Sequence, residues 1–193
     1  MATFGAFYDA NVLYPSGLRN FLMHLALTGL FRAHWSAEVH DEWTRSLLKN
    51  RPDLTSEKLI RTRQLMDKAS PDSLVTGYEH LIDSIELPDP DDRHVLAAAI
   101  QCGASVIVTL NLADFPPQIL GRFNLEAQRP DDFVIGLLET FPKLVAEAAE
   151  HHRASLKNPP KTSGEYFAEL KAQGLRKSVK VLRQLVIDGL SMI

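Results

Sequence analysis

Residues Leu87 to Phe115 read L-P-D-P-D-D-R-H-V-L-A-A-A-I-Q-C-G-A-S-V-I-V-T-L-N-L-A-D-F. Asp89, Asp91 and Asp92 open this stretch, and an Ala-rich run from Asp92 to Cys102 has the makings of a helix that Gly103 stops. The β-branched run Ser105–Thr109 then predicts a short buried strand, and Asp114 follows it. In open α/β sheets, functional groups gather at the carboxyl ends of parallel strands, so acids that open a helix and acids that follow a strand can meet in one crevice. Carboxylates brought together repel unless a cation lies among them, which points to a divalent metal.

The same signature stands at the start of the chain, where the apolar run Phe4–Tyr8 predicts a strand that delivers Asp9, with Asn11 just beyond. Leu30–Trp35 predicts another strand. Ser36 is then positioned to cap a helix reaching about Leu48, on which Glu42 shares a face with Val39 and Trp43. An acid on an apolar face needs a partner or a metal. Leu125–Gln128 reads as an edge strand and Pro130–Glu139 as the helix after it. Leu18–Leu27 and Ser56–Ala69 are amphipathic helices; Val75–Leu87 is open between a short helix and a loop with strand character. Alternating strands and helices to about residue 140 predict an α/β fold whose parallel sheet is covered on both faces. Beyond that lie helices only, Pro142–Leu156, Ser163–Gln173 and Ser178–Leu190. The expected division is therefore a domain at 1–140 and a helical C-terminal extension at 141–193.

The chain has 193 residues, is 45% hydrophobic and carries a net charge of −3. It is long enough for a packed core. It contains no apolar run of membrane-spanning length and no basic leader ahead of an apolar segment, so a cytoplasmic protein is expected. The lone Cys102 cannot form an internal disulfide and reads as a buried thiol. Charge is unevenly spread: from His151 onward eight Lys and Arg face three Asp and Glu, a net of +5, which leaves −8 for the first 150 residues. Such a division suits a metal-binding acidic part and a basic part that meets a polyanion.

Four blocks, F-Y-D-A-N-V-L, W-S-A-E-V-H-D-E-W, D-P-D-D-R-H-V-L-A-A-A and V-I-V-T-L-N-L-A-D-F-P, occur in that order within the first 140 residues. Together they resemble the PIN-domain proteins, close to the VapC-type toxins of bacterial toxin–antitoxin pairs. The resemblance implies a three-layer α/β/α sandwich and a ribonuclease that uses Mg²⁺ or Mn²⁺ and leaves 5′-phosphate and 3′-hydroxyl ends. It carries the metal-binding and catalytic roles to Asp9, Glu42, Asp92 and Asp114. It also implies a cognate antitoxin and frequent homodimers, for which Leu18–Leu27 or Ser56–Ala69 would supply the apolar face. Many relatives have an acid where this chain has Asn111, which shifts that part of the site to Asp114. Asn11 and Thr109 are expected to orient carboxylates by hydrogen bonding, and Asn111, beside the ligands with them, to orient a water or donate to a phosphate.

Each acid also has a local reading. Asp9 and Asp114 can be turn residues, Asp89 and Asp91 can serve the Pro-flanked turn, Asp92 can be an N-cap, and Glu42 can pair with Arg45 three residues on. His94 reads as a capping or packing residue and His151–His152 as a solvated face. For contact with an RNA backbone the candidates are Arg19 and Arg93 near helix starts and the stripe Arg176, Lys180, Arg183, which otherwise reads as a solvated face. A haloacid dehalogenase-like phosphotransferase would use Asp9 as nucleophile, but the acid it needs two residues later is Asn11. A non-catalytic metal-binding interaction module would use the acids to hold a structural ion.

Overall fold

Residues 4–187 are described by a computed structural model. The described residues form two compact units, one of those up to Tyr14 with Phe31–Arg129 and the other of Pro15–Leu30 with those from Pro130 onward.

The first unit is built on five short strands: β1 (Gly5–Tyr8), β2 (Arg32–Ser36), β3 (Leu74–Val75), β4 (Val106–Val108) and β5 (Glu126–Gln128). All pair in parallel, in the order β3-β2-β1-β4-β5. Every residue of β1 and of β4 is buried, the pattern of strands covered on both faces, so burial shows no alternation. Gly5 lets β1 pass close to the next segment, since a Cβ there would come 3.0 Å from the Ala104 backbone, tighter than ordinary packing. The helices of this unit are α1 (Ala10–Leu13), α3 (Ala37–Asn50), α4 (Ser56–Ala69), α5 (Glu79–Ile82), α6 (Arg93–Gln101) and α7 (Pro117–Leu120), with α2 (Ser16–Ala26) belonging to the second unit. A parallel sheet flanked by helices is the expected α/β sandwich.

Local signals explain most boundaries. Ser36 caps α3 by accepting from the Val39 amide at 3.2 Å, and Thr55 caps α4 through Lys58. Gly103, at φ +63°, provides the left-handed residue that ends α6. The run Asp92–Cys102 divides into a 3₁₀ turn at Pro90–Asp92 and α6, since Pro90 starts a turn that Asp89 closes onto the Asp91 amide. The open segment Val75–Leu87 begins on the last residue of β3 and contains α5, so both characters are present.

A polar network centred on the half-buried Asp67 links α4 to β2 and α3. Trp35 Nε1 donates to Asp67 Oδ1 at 2.8 Å, His40 Nε2 lies 3.0 Å from the same oxygen, and Trp43 Nε1 donates to His40 Nδ1 at 3.0 Å. One neutral tautomer, protonated at Nε2, satisfies all three contacts, and burial lowers the His40 pKa in agreement. Asp67→Ala is expected to cost about 3 kcal/mol, because two buried donors lose their acceptor. Denaturant unfolding checks it; Asp67→Asn, which keeps an acceptor, should lose less, and equal small losses would contradict the network's role.

The second unit packs α2 against α9 (Pro142–Ser155), and α8 (Pro130–Thr140) against both α9 and α11 (Arg176–Ile187), with α10 (Ser163–Ala172) between. Leu18, Phe21, Leu22 and Leu25 of α2 and Phe133, Val134, Leu137 and Leu138 of α8 are buried. By packing, α8 goes with the helices that follow it, because its apolar face is spent on α9 and α11, and α2 joins the same compact unit. Asp131 caps α11 by accepting from the Lys177 and Ser178 amides, both at 2.9 Å. The helix read as Ser178–Leu190 thus begins earlier, while 188–190 lie outside the described residues.

His152, read from sequence as solvated, is instead 2% exposed, with Nδ1 3.0 Å from the Tyr166 hydroxyl. Burial lowers its pKa to about 4, helped by His24 and Lys161. Because the folded value lies below the ordinary 6.5, the unfolded chain binds the extra proton between these values. Stability is then full above about pH 6.5 and falls as pH drops toward 4, by about 3 kcal/mol. Thermal melts at pH 7 and 4.5 on wild type and His152→Gln should show a smaller acid loss in the variant; identical losses would contradict this.

Candidate metal centre

The sheet order reverses at β1. The chain runs from β1 outward to β2 and β3, then returns to β4 on the other side of β1. Crevices open at such points beyond the carboxyl ends of the strands. Tyr8 is paired with Val108, so the next residues, Asp9 and Thr109, stand side by side there.

Asp9 is 4% exposed, and its Oδ2 accepts from Thr109 Oγ1 at 2.6 Å and from Asn11 Nδ2 at 2.5 Å. Asn11 is fixed in turn: its Oδ1 accepts from the Leu110 amide at 2.9 Å, and Nδ2 also reaches Thr109 Oγ1 at 3.0 Å. The amide of Asn11 thus holds Asp9, where a phosphotransferase would place a general acid. Burial raises the Asp9 pKa against the pull of the Thr109 hydrogen bond, and the nearby Glu42 adds to the rise.

Around Asp9 stand the other acids. A cavity of about 500 Å³ is lined by Asp9, Glu42, Asp89, Asp92 and Asp114, with Asn11 and Asn111 among its polar walls. Oxygens of Asp89, Asp92 and Asp114 all lie within 4.8 Å of one another. The Asp92 pKa is pushed up to about 7 by burial first, then by the charges of Asp9 and Asp114, a hydrogen bond with Asp114 and the charge of Asp89. Asn111 donates its side-chain amide to Asp114 Oδ2, and its backbone amide donates to Thr109 Oγ1 at 3.0 Å.

Glu42 reaches the cavity from α3, and its partner is His94, with Nε2 2.9 Å from Oε1. The local pairing with Arg45 is not formed; Arg45 is exposed on the cavity wall. His94 is buried, which lowers its pKa, but the hydrogen bond and charge of Glu42, then Glu38 and Asp9, outweigh burial and leave it raised. A proton on Nε2 is the arrangement that the Glu42 carboxylate favours.

A donor set of carboxylate oxygens suits a hard divalent ion such as Mg²⁺ or Mn²⁺. Burial raises the pKa of both Asp9 and Asp92, and neighbouring acids, Glu42 for the first and Asp9, Asp114 and Asp89 for the second, add to the rise, a cost that a bound cation would offset. On both counts the residues fit such an ion.

Comparison with known families follows the same division. Residues 6–113 match the model of the PIN domain, more than half of the chain. The chain belongs to the PIN-domain family. Residues 130–184 match a second model, the VapC50 C-terminal domain, which begins where the second compact unit resumes. A Mycobacterium tuberculosis protein named "Putative ribonuclease VapC50" is 40% identical over 77 residues, which cover 38% of this chain and 45% of that protein. The aligned part thus spans less than half the length of this relative. No solved structure matches the chain significantly.

In this PIN domain the sequence-predicted acids Asp9, Glu42, Asp92 and Asp114 all line one cavity, together with Asn11 and Asn111, while Thr109 lies fully buried behind Asp9. Asp89 lines it too, although it reads from sequence as a turn residue. It fills both roles: Oδ1 accepts from the Asp91 amide at 2.9 Å, and the carboxylate faces Asp92 and Asp114. The D-P-D-D spacing was the available signal. Asp91 is exposed outside the lining. The arginines fall elsewhere. Arg19 is buried in the second unit at 6% exposure, with its pKa lowered to about 10 by burial, so the expected approach to phosphate from a helix start is not available to it. Arg93 is half-buried at the start of α6 and does not line the cavity; Arg45 does.

Proposed function

We propose that this protein is a metal-dependent endoribonuclease of the toxin type, hydrolysing RNA phosphodiester bonds at the carboxylate cavity. The observation that supports this reading most is the convergence of Asp9, Glu42, Asp92 and Asp114, from four separate elements, on one crevice at the sheet's reversal point. The name of the mycobacterial relative agrees with it. We assign Mg²⁺ or Mn²⁺ as the cofactor. When bound, such an ion supplies a water acidic enough to attack at neutral pH and neutralises charge on the phosphate.

The protein's own groups do the rest. Asp9, Asp92 and Asp114 provide hard oxygen donors, and Asp89 adds a fourth carboxylate beside them. Thr109 and Asn11 lock the Asp9 carboxylate against rotation. His94 holds Glu42 toward the cavity, and Asn111 does the same for Asp114. Arg45 and Ser46, on the wall beside Tyr14, are placed to donate to a phosphate entering the crevice. Cleavage leaves a 5′-phosphate and a 3′-hydroxyl in this reading.

A toxin implies an antitoxin, and an acidic crevice suits a basic side chain from that partner. Among the described residues no helix is long and apolar enough to cross a membrane, and action on RNA places the protein in the cytoplasm. A homodimer would draw on α4, where Ile60 and Leu65 are 51% and 56% exposed, and not on α2, whose apolar face is buried. Incubating the purified protein with total RNA and Mn²⁺ or Mg²⁺ tests the reading: cleavage is expected with either ion and none in excess chelator. Chelator-resistant cleavage, or intact RNA under all conditions, would refute it.

A further inference from the structure

We propose that the shallow groove between α10 and α11, carrying Lys171, Arg176 and Arg183 and flanked by Lys180, binds the sugar-phosphate backbone of RNA. It rests on the ribonuclease reading only for the identity of the polyanion. The groove encloses about 420 Å³ and is lined by Ala168, Lys171, Ala172, Arg176 and Arg183. The two alanines make its floor low, so a backbone can approach closely. All four basic residues are exposed, and among the described residues none of them forms an ion pair.

A merely solvated helix face normally mixes acids with bases, because opposite charges three or four residues apart support a helix and like charges weaken it. Over Arg176–Ile187, α11 has four basic residues and no acid. Arg176 and Lys180 are four apart, and Lys180 and Arg183 three apart, so each pair repels. Arg176 also occupies the first turn, where the helix dipole disfavours a cation. The Asp131 carboxylate that caps this end bonds to the Lys177 and Ser178 amides, and Asp132 takes up Lys177. Among the described residues no acid pairs with Arg176.

The acids of α10 turn away from the groove. Glu165 closes a capping box with Thr162, and Glu169 pairs with Lys161. Arg183 lies over the Phe167 ring, 5.8 Å from its centroid, a contact that restricts the side chain before any ligand arrives. Arg176 and Lys180 are spaced about 6 Å apart along the helix axis, which suits a chain of repeating charges better than a single carboxylate. A nucleic-acid backbone is such a chain.

The test measures binding of a labelled oligouridylate to the full-length protein in EDTA, where metal-dependent cleavage is blocked, across a range of salt concentrations. The combined variant Lys171→Glu, Arg176→Glu, Arg183→Glu is expected to bind about ten-fold more weakly or worse. Its plot of log affinity against log salt should be flatter by about 2, since each lost phosphate contact on a single strand removes about 0.7. Lys143→Glu on α9 should leave the slope unchanged. Arg176→Glu alone separates folding from binding: acid in the first turn of α11 should hold or raise the melting temperature while RNA affinity falls. An unchanged slope in the folded triple variant, or in Arg176→Glu, would overturn the assignment while leaving the ribonuclease reading intact. So would polyglutamate competing as well as RNA, which would mark a surface for an acidic protein. A groove-dependent slope in a protein that never cleaves RNA with metal would instead uphold the groove and refute the ribonuclease reading.

Discussion

Asp92→Asn is expected to reduce RNA cleavage by about 10³-fold, the equivalent of several kcal/mol of lost charge stabilisation, while making the metal-free protein more stable. The two effects share one cause. Burial, and after it the crowding of Asp92 by Asp9, Asp114 and Asp89, lifts the carboxyl pKa to about 7. In the unfolded chain it ionises near its ordinary value of 3.8, so between these values the folded state binds the extra proton. Stability of the metal-free wild type must therefore decline as pH rises through that window and level off above about 7. The asparagine variant has no proton to lose there, so its advantage in melting temperature should grow from pH 5 to pH 8 in EDTA. A variant less stable than wild type at pH 8, or one that still cleaves RNA at the wild-type rate, would show that Asp92 is not held among competing acids for this purpose.

Mn²⁺ should raise the melting temperature by about 5–10 °C at a concentration near 100 times its dissociation constant. Binding to the folded state alone contributes about 2.7 kcal/mol at that ratio, and each kcal/mol moves a domain of this size by about 2–4 °C. The gain should be larger at pH 8 than at pH 6, because Asp92 must give up a proton to serve as a ligand. Asp9→Asn should lose most of the shift at both values. A shift independent of pH and of Asp9 would place the ion elsewhere.

Much of this site was legible in the sequence because its carriers are local signals. Phe4–Tyr8 and Ser105–Thr109 are short apolar runs with a polar residue at the carboxyl end, and Ser36 announces α3, so Asp9, Thr109 and Glu42 could each be placed on an element. What joins the elements was not legible. The pairing of Glu42 with His94 crosses 52 positions, whereas the sequence offered Arg45 only three residues away. Asp89 looks like a turn residue because it is one, and its second role depends on where Asp114 arrives from another part of the chain. The helix α2 reads as an ordinary amphipathic element between two strands; that it buries its apolar face against α9 follows from tertiary packing alone. The same holds for His152, whose neighbour in sequence, His151, is exposed while it is enclosed by Phe21, His24 and Tyr166.

Acids from distant segments gather in one cavity, and on the proposed reading they hold a divalent cation there. Anomalous scattering from crystals grown with Mn²⁺ examines that directly. The expected result is a manganese peak in direct coordination with carboxylate oxygens from Asp9 and Asp92, with Glu42, Asp89 or Asp114 completing the shell. Manganese bound only at other surface acids, with the cavity between Asp9 and Asp92 left to water, would contradict it.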